Sequence, residues 1–139
     1  RLRCDWSSDV CSSDLLGIGY DHPGVARLID MVGPSFAKLI FFTGGQFPAD
    51  EALAMGLINK VTTDHALEAE VRGYAEAMAA NAPLSHLCMK TTIDELTRRD
   101  GAPDLAACEA LVARCFESED YVEGRRAFME KRKPVFRGR

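Results

Sequence analysis

Residues 33–61 read GPSFAKLIFFTGGQFPADEALAMGLINKV, in which apolar runs alternate with glycines and prolines. Pro34 favours the first turn of a helix, where its missing N–H costs nothing. Asp50 and Glu51 lie at the start of a second, shorter helix, where acidic side chains suit the positive end of the helix dipole. Gly56 is typical of a left-handed residue that ends a helix. The segment 57–61 predicts a brief extended stretch, since its end is β-branched.

Helical spacing continues on both sides of this stretch. Pro23 suits the first turn of a preceding helix that Gly33 ends, and Asp64, Pro83 and Ser118 mark the starts of later helices. The helix after Asp64 carries an apolar stripe at helical spacing. That stripe consists of Leu67, Val71, Tyr74, Ala75 and Met78. The spacing therefore predicts a mainly α chain with at most one or two short strands.

The composition excludes several classes of protein. The chain has 139 residues and a net charge of −4, which argues against a general nucleic-acid binder. No apolar run approaches the roughly 20 residues that a membrane span needs. Cys88, Cys108 and Cys115 lie in apolar helical contexts, which predicts buried free thiols in a reducing, cytoplasmic compartment. No metal site is predicted, because metal-binding motifs are absent and the histidines are dispersed.

The segment 5–15 reads DWSSDVCSSDL. Back-translated in one frame, it resembles a common short-read sequencing adapter along its whole length. We therefore predict that residues 1–15 are a non-native, disordered segment that takes no part in the fold. The natural chain is then expected to be cut near Leu15 or Leu16, with its N-terminal part missing.

Three stretches, in order, resemble the crotonase (enoyl-CoA hydratase/isomerase) family. They are residues 33–61, the stretch NAPLSHLCMKTTIDEL (81–96) and the ending SEDYVEGRRAFMEKRKPVFRGR (118–139). The resemblance covers the C-terminal half of the family pattern. It implies that 16–62 end the spiral α/β core of the crotonase fold. Residues 63–139 then form a helical region for oligomerisation and CoA contact.

The resemblance implies acyl-CoA substrates and an enolate stabilised by two backbone N–H groups. CoA is part of the substrate, so no separate cofactor is expected. The family assembles as trimers or hexamers and belongs to fatty-acid or related acyl-CoA metabolism. The two N–H groups and the first catalytic acid belong to the N-terminal half, so this chain alone is expected to be inactive. The competing hypothesis is a helical oligomerisation or interaction module without chemistry.

One candidate catalytic acid is present. The position where classical hydratases carry a Glu falls on Ser13, inside the non-native segment. Asp21 is spaced from Arg27 in the way that resembles the catalytic Asp of dienoyl-CoA isomerases. Asp21 precedes His22 and Pro23, however, and an N-cap or turn role is the more common use of such a residue. Both interpretations stay open at this point.

The ending is locally basic, with seven Lys/Arg against two Glu between residues 123 and 139. The resemblance places Phe128 near the CoA adenine and Lys131 near its phosphates. An aromatic face and a compact positive charge fit those groups. The alternative is a solvated helix end, in which 131–133 form a last turn that Pro134 stops. RNA binding through this stretch is a third option, which the cations alone support weakly.

Overall fold

The computed structural model describes residues 19–139, and the predicted non-native segment 1–15 lies outside them. Within the described part no residue is in a β-strand, which agrees with the mainly α prediction. The helices are α1 (His22–Thr43), α2 (Ala49–Ala54), α3 (Asp64–Ala79), α4 (Pro83–Thr97), α5 (Leu105–Glu117) and α6 (Glu119–Met129). None of the helices within 19–139 is both long and apolar enough to cross a bilayer.

The chain divides into two compact units, the first ending at Asp64 and the second comprising His65–Arg139. The first unit contains α1 and α2. Its core is a small apolar cluster in which burial from water supplies the main stabilisation. The buried members are Val32, Ala37, Ile40 and Met55, and Leu28, Ile29, Phe47 and Leu57 pack against them.

Helix α1 is interrupted where the sequence predicts a break. Gly33 has φ 76° and ψ 167°, values outside the helical region, so α1 consists of two helical segments joined at Gly33 and Pro34. Pro34 lacks an N–H and cannot continue the ladder of the first segment. At the other end, Gly44 is left-handed (φ 54°) and donates its N–H to the Ile40 carbonyl.

Helix α2 ends in a Schellman turn at the predicted glycine. Gly56 has φ 79°. Its N–H donates to the Leu53 carbonyl at 3.1 Å, and the Leu57 N–H donates to the Ala52 carbonyl at 2.9 Å. These two bonds satisfy carbonyls that a helix end leaves unpaired. The predicted extended segment 57–61 follows this turn without joining any sheet among the described residues.

The second unit is built on the contacts of α4 with α5 and of α5 with α6. Side chains cap two of its helix starts, of which the sequence predicts the one at Ser118. Asp104 caps α5 by accepting the Ala107 N–H at 2.9 Å, and Ser118 caps α6 by accepting the Tyr121 N–H at 3.0 Å. The cysteines of this unit are unbridged, with Cys88 and Cys108 buried and Cys115 half-buried.

The predicted apolar stripe of α3 is exposed, and the helix has no buried residue, because amphipathic spacing selects a face without supplying a partner for it. One local sequence expectation differs from the structure. The basic residues 131–133 do not form the last turn of α6. That helix ends at Met129, and Lys131 is left-handed with φ 53°.

Replacing Gly56 with Ala is expected to lower the free energy of unfolding by about 1–2 kcal/mol, since a Cβ is disfavoured in the left-handed region. Crowding is not the cause, because a Cβ built there meets only the Met31 carbonyl oxygen at 3.5 Å. Urea unfolding followed by circular dichroism measures the change.

The control is Gly73→Ala in α3, where a Cβ meets no atom within 4 Å. It is expected to raise the free energy of unfolding by about 0.5–1 kcal/mol, because Ala favours a helix interior. Equal losses in the two variants would contradict the left-handed strain at Gly56.

Candidate functional site

A cavity of about 640 Å³ opens on the second unit, within the size range of small-molecule pockets. It is bordered by the start of α4, the end of α5, the length of α6 and the C-terminal segment. Its wall is largely aromatic, and it includes one of the residues that the sequence singles out, Phe128. The aromatic members are Phe116, Tyr121, Phe128 and Phe136.

The aromatic wall has defined internal geometry. The Phe116 and Tyr121 rings meet edge to face, with centroids 5.2 Å apart and planes at 77°, an arrangement that aromatic quadrupoles favour. The Arg125 guanidinium carbon lies 5.7 Å from the Tyr121 ring centroid, within cation–π range. Phe128 is 83% exposed. The wall therefore combines an exposed Phe128 side chain with a cation that lies over the Tyr121 ring.

The C-terminal segment, residues 130–139, is held against α6 by the carboxylate of Asp120. That carboxylate accepts the Arg137 N–H at 2.6 Å and the Gly138 N–H at 2.7 Å. The Asp120 N–H in turn donates to the Arg139 carbonyl at 3.3 Å. Asp120 is only 4% exposed, and these bonds satisfy a charge that would be costly to bury alone. They place Phe136 in the cavity wall.

Glu123, one turn further along α6, holds the segment at a second point. Its carboxylate accepts from both terminal nitrogens of Arg132, one at 2.9 Å, and from the Val135 N–H at 3.0 Å. This bidentate pairing and the backbone bond lower the pKa of Glu123 to about 2, with Arg132 the larger cause. The same contact raises the pKa of Arg132 further above its usual range.

Lys131 lies between these contacts, in the turn that ends α6. Its N–H donates to the Phe128 carbonyl at 3.3 Å, and the Arg132 N–H donates to the Ala127 carbonyl at 3.0 Å. The two bonds make a Schellman turn with Lys131 in the position that glycine usually takes. Phe128 and Lys131 thus share one turn, although Lys131 does not line the cavity.

Cys115 also borders the cavity. Burial is the main reason that the pKa of its thiol is raised, and the neighbouring Cys88 adds to the effect. A raised pKa keeps the thiol protonated and poorly nucleophilic. The structure therefore makes Cys115 a part of the apolar wall.

Asp21 belongs to the first unit. Its side chain caps α1 by accepting the Gly24 N–H at 3.4 Å, and the residue is exposed. The N-cap interpretation accounts for this geometry, as the sequence favoured. The catalytic role of Asp21 stays a prediction, as do the CoA-contacting roles of Phe128 and Lys131.

The sequence did not single out the two carboxylates that hold the C-terminal segment. Asp120 and Glu123 are three residues apart on one helix face, and the following segment is rich in cations. That pattern could have indicated the contact, although Asp120 binds backbone N–H groups that any sequence offers.

Within residues 19–139 no group of three or more His, Cys, Asp or Glu side chains could hold a metal ion.

The chain belongs to the enoyl-CoA hydratase/isomerase family, whose family model matches residues 10–139. The match begins inside the segment 5–15, whose assignment as non-native stays a prediction. Among the curated relatives, the short-chain-enoyl-CoA hydratase of Clostridium acetobutylicum is 36% identical over 118 residues, covering 85% of this chain and 45% of that protein. The carnitinyl-CoA dehydratase of Citrobacter koseri is 33% identical over 128 residues, with 89% and 49% covered.

Solved structures agree with this assignment. An enoyl-CoA hydratase/carnithine racemase from Magnetospirillum magneticum matches with a TM-score of 0.80 and 34% identity, over 91% of this chain and 47% of that one. An enoyl-CoA hydratase from Bacillus anthracis matches with a TM-score of 0.75 and 28% identity, over 92% and 50%. The described helices are thus a helical portion of the crotonase fold. The chain spans about half the length of the relatives that it matches.

The low pKa of Glu123 predicts an acid-sensitive attachment of the C-terminal segment. A carboxylate whose pKa falls from 4.5 to about 2 on folding stabilises the folded state fully above pH 4.5. The stabilisation is lost as the pH falls through about 2. The Val135 amide resonance, followed by NMR during acid titration, is expected to shift with a midpoint near 2. Glu123→Gln removes the titrating group, and a midpoint near 4.5 in the unaltered chain would contradict the assignment.

Proposed function

We propose that this chain is the C-terminal part of an enoyl-CoA hydratase/isomerase that acts on enoyl-CoA thioesters through a stabilised enolate. Family membership and the coverage of about half of each relative support this proposal. The proposed setting is fatty-acid or related acyl-CoA metabolism in the cytoplasm. The chain on its own is proposed to be inactive, because the enolate-stabilising N–H groups of the family pattern lie in the N-terminal half.

The observation that carries a CoA contact is the strained turn beside the exposed aromatic ring. Lys131 holds φ 53°, a conformation that costs a residue with a Cβ about 1–2 kcal/mol relative to the right-handed region. Strain at a single residue is a reason to look for a function there. A lysine at this position sends a compact positive charge outward from the turn that also carries Phe128. That pairing suits the phosphates and the flat adenine of CoA.

Lys131→Gly separates stability from binding. Glycine adopts the left-handed conformation freely, so the free energy of unfolding is expected to stay constant or rise by up to about 1 kcal/mol. The affinity of the full-length protein for crotonyl-CoA is expected to fall about tenfold, as loss of one charged contact implies. Titration calorimetry measures the affinity, with Lys133→Ala as the control. Unchanged crotonyl-CoA affinity in Lys131→Gly would reject the CoA contact.

A second candidate function is an isomerase-like reaction in which Asp21 shuttles a proton near the acyl chain. Asp21→Asn tests it cleanly, because Asn caps a helix as well as Asp does but cannot transfer the proton. If Asp21 is catalytic, kcat for a dienoyl-CoA substrate in the full-length protein falls by about 100-fold or more, while the melting temperature stays constant. Full activity with unchanged stability would leave Asp21 as a helix cap only.

The exposed stripe of α3 favours one further proposal, assembly of the full-length protein as a homotrimer or hexamer. Leu67, Val71, Tyr74 and Met78 are each more than half exposed, and contiguous apolar surface of this kind often marks an interface. The same surface supports the competing hypothesis of a helical oligomerisation module without chemistry. Sedimentation of the full-length protein as a stable monomer would count against both forms of assembly.

A further inference from the structure

The turn that carries Lys131 is fastened to α6 through its neighbour. Arg132 directs its two terminal guanidinium nitrogens at Glu123 and its Nε at Glu130, the latter at 2.6 Å. Planar bidentate pairing of this kind fixes orientation as well as distance. The guanidinium of Arg132 is therefore held by Glu123 within α6 and by Glu130, the residue that caps the end of α6.

A left-handed lysine needs such a restraint. The backbone at Lys131 is disfavoured relative to a right-handed or extended conformation, and the two Schellman bonds act only on N–H and carbonyl groups. Strained conformations persist where the surroundings over-determine them. The Glu123–Arg132 pair supplies an additional constraint on this turn and thereby on the direction in which the Lys131 side chain leaves it.

Glu123 also connects this turn to the cavity wall. The same carboxylate accepts the Val135 N–H, which precedes the wall residue Phe136. One carboxylate thus fixes both the exit of the chain from α6 and the start of the stretch that lines the cavity. The Glu123 side chain is 19% exposed and that of Arg132 is 38% exposed, so water screens this pair partly, but less than the Glu119–Arg139 pair on the same helix.

We propose that Glu123 is a positioning residue for substrate binding, which orients Lys131 through Arg132. This inference rests on the proposed CoA contact of Lys131. Glu123 itself is directed at the protein and does not touch the substrate. Its effect is therefore expected on the affinity for the CoA ester and not on the chemical step.

A double-mutant cycle tests this proposal in the full-length enzyme with crotonyl-CoA. Glu123→Gln keeps the size of the side chain and removes its charge, and Lys131→Ala removes the cation. Each single variant is expected to raise KM about fivefold to tenfold with kcat unchanged. The double variant is expected to be no worse than Lys131→Ala, because a residue that acts through another loses its effect once that residue is gone.

The matched control is Glu119→Gln on the same helix. Glu119 also pairs with an arginine of the C-terminal segment, Arg139, at 3.0 Å, but both side chains are more than 60% exposed. It is expected to leave KM constant, since such surface pairs contribute little. Arg132→Gln removes the other partner of the same ion pair and is expected to raise KM by the same factor as Glu123→Gln. It serves as the test if Glu123→Gln folds poorly.

The outcomes separate this inference from the proposed function. If Lys131→Ala leaves KM unchanged, the CoA contact fails and this inference fails with it. If Lys131→Ala raises KM while Glu123→Gln and Arg132→Gln do not, the CoA contact stands and only the positioning role is overturned. KM effects of Glu123→Gln and Lys131→Ala that multiply in the double variant would likewise overturn it, because they would show independent action.

Discussion

The carboxylate of Asp120 is buried in the second unit, and a buried charge must be satisfied by hydrogen bonds or it destabilises the fold. Two backbone N–H groups of the C-terminal segment meet this requirement at 2.6 and 2.7 Å. The segment must therefore return along α6 instead of leaving into solvent. The cavity wall, the place of Phe136 and the second fastening at Glu123 all follow from that return.

Left-handed residues end three of the described helices. Two of the left-handed ends, Gly44 and Gly56, use the residue that bears no penalty there. The third uses Lys131, where glycine would be the less strained choice. The two glycine ends are explained by stability alone, whereas the lysine end calls for a functional reason. That contrast is why the proposed CoA contact centres on Lys131 and not on the neighbouring cations of the same basic stretch.

The sequence and the structure agree best where local chemistry decides. Gly33 with Pro34, Gly56 and Ser118 act through their own backbone or the next few N–H groups, and each helix boundary they predict is observed. Pro134 predicts a later end for α6 than the structure has, because the left-handed turn at Lys131 ends the helix at Met129. A lysine does not predict a left-handed turn. The turn depends on the bonds that the next residue, Arg132, makes to the Ala127 carbonyl and to the Glu123 carboxylate.

The sequence by itself determined the mainly helical class, the helix starts and the family, because caps, prolines and ordered motifs act over a few residues. It also indicated Phe128 and Lys131 as candidate CoA-contacting residues. Only the tertiary structure decided that Asp120 is buried, that Glu123 holds Arg132 and that Phe136 and Phe128 line the same cavity. Those contacts join residues as far apart as Asp120 and Arg139, and several of them end on backbone N–H groups. Because nearly every residue carries the same backbone N–H group, the sequence cannot indicate which of these groups a carboxylate will bind. Only the folded chain shows the partner.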